Sequence, residues 1–121
     1  AVMGRFLTPL RAELQQDRKS WVLLDSFQYL DDDEGLITVK AGFKTDFASV
    51  PRLPLTFALV GSYGHAAAAL HDWLYATRQI SRKRADRVFL NALRSSGIAR
   101  WRAWIMWSGV RLGGRWRYGQ R

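Results

Sequence analysis

The hydrophobic period of this chain changes once, near Pro54, and that change limits the folds open to it. Before it, apolar residues fall at every second position: Leu10, Ala12 and Leu14; Trp21 and Leu23; Phe27 and Tyr29; Ile37 and Val39. Such alternation puts one row of side chains on one face of a strand, so these segments predict strands with one buried face. Residues 15–20 and 31–35 between them have hairpin composition, the second closing on Gly35, which accepts positive φ. An antiparallel meander of three or four strands is expected.

After Pro54 the spacing becomes helical. Residues 65–77 carry Ala66 to Leu70, Trp73, Leu74 and Ala76, apolar on more than one side, which predicts a central helix. Ser81 can cap a second helix whose apolar positions Ala85, Val88, Phe89, Ala92 and Leu93 follow the 3.6-residue period, with Gly97 as its left-handed stop. A third helix is expected from about Ile98 to Leu112, with Ile98, Trp101, Ile105 and Leu112 on its apolar stripe and Trp104 and Trp107 beside it. Strands first and helices afterwards make an α+β fold. A small antiparallel sheet (about 1–54) should pack against three C-terminal helices (about 62–113), all in one domain of 121 residues.

Composition removes several function classes. With no cysteine the chain cannot use disulfides, thiolate metal sites or a cysteine nucleophile, and 48% hydrophobic residues exclude a disordered tail. Its apolar stretches are broken by glycine, histidine or charge, so no membrane span is expected. The start, Ala-Val-Met-Gly-Arg, lacks the pattern of a secretory signal, which points to synthesis in a cytoplasm. Charge is lopsided: residues 1–77 hold seven Lys/Arg against nine Asp/Glu, or −2, while residues 78–121 hold twelve against Asp86 alone, or +11. That field favours an anionic partner (nucleic acid, a lipid headgroup surface or an acidic protein face) or neutralisation inside an assembly.

Two short segments carry the chemistry. One is 42–51, with Thr45, Asp46 and Ser49; the other is His71-Asp72-Trp73-Leu74-Tyr75, followed by Arg82, Asp86 and Phe89. His71 and Tyr75, one helical turn apart, share a face, and the short connection at 78–80 makes the next helix an antiparallel neighbour that brings Asp86 opposite residues 72–73. His71, Asp72, Tyr75 and Asp86 are therefore expected to converge. A histidine held by a carboxylate has a fixed tautomer and raised basicity, and a further carboxylate can hold a hard cation such as calcium. The same residues can equally satisfy one another in a closed core network. Thr45, Asp46 and Ser49 can likewise be ordinary turn and cap residues. Residues 31–34 lack calcium-loop spacing and predict a solvated hairpin tip.

At these segments the chain resembles a phage and prophage family of unknown function, the domain of unknown function 1353. The shared pattern is Gly-Phe-x-Thr-Asp-x-Ala-Ser-Val-Pro at 42–51, His-Asp-Trp-Leu-Tyr at 71–75, and an arginine, Ala-Asp and Phe at 82–89. The resemblance implies a phage or prophage origin and carries no activity with it. The helix pair alone is also similar to the core of phospholipase A2 domains, including some in viral capsid proteins. That similarity implies His71 as the general base, Asp86 as its orienting partner, Tyr75 as a donor to Asp86, and Asp72 as a calcium ligand. The helices are closer in sequence than in phospholipases and no glycine-rich calcium loop precedes His71, which makes Asp46 the substitute ligand. Thr45, Ser49 and Arg82 would support the site.

The leading expectation is a virion-associated or lysis-linked protein that hydrolyses an ester of the cell envelope with the help of a divalent cation. Two others stand beside it: a structural tail or baseplate component whose polar cluster only stabilises the fold, and a basic nucleic-acid-binding accessory protein. Trp101, Trp104, Trp107 and Trp116, interleaved with arginines, are expected to contact another phage protein or an anionic membrane surface.

Overall fold

A computed structural model describes residues 4–18, 20–45 and 64–113. Six strands precede three helices: β1 (Gly4–Phe6), β2 (Ala12–Leu14), β3 (Trp21–Leu23), β4 (Phe27–Asp31), β5 (Gly35–Val39) and β6 (Lys44–Thr45), then α1 (Gly64–Thr77), α2 (Arg82–Ser95) and α3 (Arg100–Gly113). The architecture is α+β, with all described strand pairs antiparallel.

The strands form two three-stranded sheets, ordered β1-β4-β5 and β2-β3-β6, in place of the single meander expected from the alternation. Two hairpins, β2-β3 and β4-β5, follow the expected local pairing. The other pairings are long-range and leave no local trace. In β1 the three residues are too few to show a period, and it is placed on β4 by Phe6, whose ring lies 4.8 Å from that of Tyr29 and 6.1 Å from that of Phe27. Within β4 and β5 the alternation is as expected: Phe27, Tyr29, Asp31, Ile37 and Val39 are buried. Gly35, which ends the turn, has φ of 76°.

In α1 the run Ala66 to Ala69 supplies the strongest helix formers, and Ala67 to Asp72 are all buried. The Ser81 side chain caps α2 by accepting from the Arg84 N–H, and Gly97, at φ 89°, turns the chain out of the helix in the left-handed region. As its center, α2 packs against α1, α3, β1 and β4. Its buried side is Ala85, Val88, Phe89, Ala92 and Leu93, the set its periodicity predicts.

The third helix departs from expectation. Its core-facing residues are Ala103, Met106 and Val110, while Trp101, Ile105 and Leu112, assigned to the buried stripe, are exposed. Two apolar stripes compete on this helix, and the close approach to α2 selects the slimmer one. Ile98, in the connection before α3, is buried as expected.

Candidate functional site

The hub is Asp86, on the second turn of α2 and 0% exposed. Its Oδ1 lies 2.6 Å from Nε2 of His71 and accepts the Tyr75 hydroxyl at 2.5 Å; its Oδ2 accepts Nη1 of Arg111 at 2.8 Å. A carboxylate can only accept, so His71 carries its proton on Nε2. The imidazole is sandwiched between rings, 4.1 Å from Tyr75 and 4.8 Å from Phe89 by centroid. Local structure explains the convergence: His71 and Tyr75 stack one turn apart on α1, and the short 78–80 connection folds α2 back antiparallel beside them.

Electrostatics in this cluster are set by opposing forces. Burial favours protonation of Asp86, but the hydrogen bonds from His71 and Tyr75, the charge attraction of His71 and the bond from Arg111 outweigh it, and the carboxyl stays below its ordinary value. The Tyr75 phenol is pushed well up, first by burial and then by its bond to Asp86, with Arg82 pulling modestly the other way. The cluster therefore holds an anion at Asp86 and a neutral phenol at Tyr75.

Asp72 does not join it. The Thr45 hydroxyl, on β6, donates to Asp72 Oδ2 at 2.5 Å, and both residues are buried, so this second contact ties α1 to the β2-β3-β6 sheet. Among the described residues no three His, Asp or Glu side chains form a group that could hold a metal ion. Asp46 and Ser49, expected as metal ligand and support, and Trp116, expected at an interface, lie outside the described residues. The Arg82 guanidinium donates to the carbonyls of Val110, at 3.0 Å, and Arg111, closing the C-terminal end of α3.

Arg111 was not anticipated as a partner of Asp86. Antiparallel folding across the short 96–99 connection lays the last turn of α3 beside the start of α2. Residues 31–34 also differ from a purely solvated tip. Asp31 is buried and accepts from the Tyr29 hydroxyl (3.2 Å), Asn91 Nδ2 (3.3 Å) and the N–H groups of Asp33 and Glu34, while Glu34 pairs with Arg84. Burial, then the Asp31 charge, raises the Tyr29 phenol as it does Tyr75.

Of the interface candidates, Trp101 and Trp104 are 53% and 59% exposed and Trp107 is half-buried. No helix among the described residues is long and apolar enough to cross a membrane. A surface depression of about 460 Å³ lies elsewhere, between the β2-β3 turn and Lys44.

A family model described as a protein of unknown function (DUF1353) matches residues 21–110, from β3 into the last turn of α3. No curated protein and no solved structure matches the chain.

Proposed function

The chain belongs to the DUF1353 family of proteins of unknown function, and from that premise we propose that it is a non-catalytic structural component of a phage particle, of its tail or baseplate. The observation that carries this reading is closure: Asp86 is 0% and His71 2% exposed, and both Asp86 oxygens are occupied by protein donors. A hydrolytic base needs room for water and substrate beside its nitrogen. Here the imidazole lies against a carboxylate and two aromatic rings. The phage assignment is supported by the motif pattern at 42–51, 71–75 and 82–89.

Detection of the chain by mass spectrometry in particles purified from a lysate, together with no fatty-acid release from phospholipid vesicles in calcium, magnesium or zinc, is the expected result. A second reading, metal-assisted ester hydrolysis at the cell envelope, is favoured by the His71–Asp86 pair with Tyr75 on the same carboxylate oxygen. Vesicle hydrolysis by the wild-type chain that is lost in a folded His71→Ala variant would put it first.

A further inference from the structure

The outer side of α3 is apolar where solvent-facing helices are polar. Trp101, Ile105 and Leu112 point away from α2, Trp104 flanks them, and Leu112 is 84% exposed. Among the described elements the helix packs chiefly on α2. Its only charges are Arg100, Arg102 and Arg111, with no acidic residue in its 14 positions. The Arg102 guanidinium lies 5.1 Å from the centroid of the Trp101 ring, on the flank of the strip. Large apolar residues exposed together on one helix face mark a surface suited to a partner.

We infer that this face binds the surface of an anionic lipid bilayer, with α3 lying in the plane of the headgroups. At 14 residues the helix is too short to span a bilayer and long enough to lie on one. Indoles favour the headgroup level, where the ring is in apolar surroundings and the N–H is wet. Ile105 and Leu112 reach the acyl boundary, and arginines at the strip's margins meet lipid phosphates. Charge argues against two copies pairing face to face, because α3 on α3 sets arginine against arginine with no carboxylate between them. The two aliphatic residues argue against nucleic acid, since they add nothing to base stacking or phosphate contact. The inference stands apart from the reading of the Asp86 cluster and holds for a structural or a hydrolytic protein.

Co-sedimentation of the full chain with vesicles of phosphatidylglycerol and phosphatidylcholine in equal parts tests it, alongside tryptophan emission. Pelleting with a blue-shifted emission is expected on these vesicles and not on pure phosphatidylcholine. The double variant Trp101→Ala/Trp104→Ala should bind at least about ten-fold more weakly, and Leu112→Ser measurably so, with unchanged circular dichroism. Arg100→Gln and Arg102→Gln should each cost about five-fold. Failure to bind anionic vesicles overturns the inference, as does binding that the double tryptophan variant and Leu112→Ser leave intact. Concentration-dependent self-association, or retention of single-stranded DNA, that those variants abolish while vesicles stay unbound would overturn it in favour of a second copy or a nucleic acid.

Discussion

The Asp86 cluster and the outer face of α3 break the usual division between inside and outside in opposite directions. One buries a carboxylate, an imidazole and a phenol; the other leaves two tryptophans, an isoleucine and a leucine in water. Inside, among the described residues, the carboxylate accepts hydrogen bonds from α1 and α3. A buried charge so fully partnered explains how the helices are held together. The exposed residues are different: among the described residues Trp104 meets the ring of Trp107 on its own helix, at 6.4 Å, and Trp101 a guanidinium from its own helix. The first region is partnered by the described helices, and the second presents its apolar groups to solvent.

The comparison breaks most readily at Asp86. Asp86→Ala leaves Arg111, His71 and Tyr75 around an empty acceptor and should lower unfolding free energy by about 3–5 kcal/mol in urea titration. A loss well under that would mean that the cluster is not the internal lock its geometry describes. Acid supplies the same test without mutation. The folded carboxyl titrates below its ordinary value of 3.8, so it contributes stability above that pH and loses it as pH falls through the folded value. Melting temperature should fall on acidification below about pH 4, and part of that slope should vanish in Asp86→Asn.

Smaller effects sharpen the contrast. Thr45→Val removes the hydroxyl from buried Asp72 and should cost about 1–3 kcal/mol, measured in the same titration. Trp104→Ala, on the exposed face, should change stability by no more than about 0.5 kcal/mol. A larger loss there would show that the indole serves the fold and not a partner.

What the sequence made legible follows from how local each signal is. The capped ends of α2 at Ser81 and Gly97, its apolar stripe, and the meeting of His71, Tyr75 and Asp86 all follow from helical spacing and a short connection. Arg111 was hidden because one arginine among many carries no periodic mark. Pairing of β1 with β4 was hidden because it depends on rings meeting across the fold, Phe6 on Tyr29 and Phe27. In α3 the pattern misled: large apolar residues suggested the buried side, whereas helix–helix contact took Ala103, Met106 and Val110. The site at 42–51 was read from its motif, and only Thr45 of its candidates falls among the described residues, bonded to Asp72.

The two arginines at the end of α3 also set how the molecule transmits force. Arg111 holds the Asp86 carboxylate, and Arg82 holds carbonyls in the last turn of α3, so the start of α2 and the end of α3 are riveted in both directions. A tug on α3 therefore passes through these rivets to α2, onward through Asp86 to His71 and Tyr75 on α1, and through Asp72 to Thr45 in the sheet. Near that end the bonds share the strain in parallel, so α3 resists peeling there as a bracket does, and any surface gripping its outer face pulls on the whole fold.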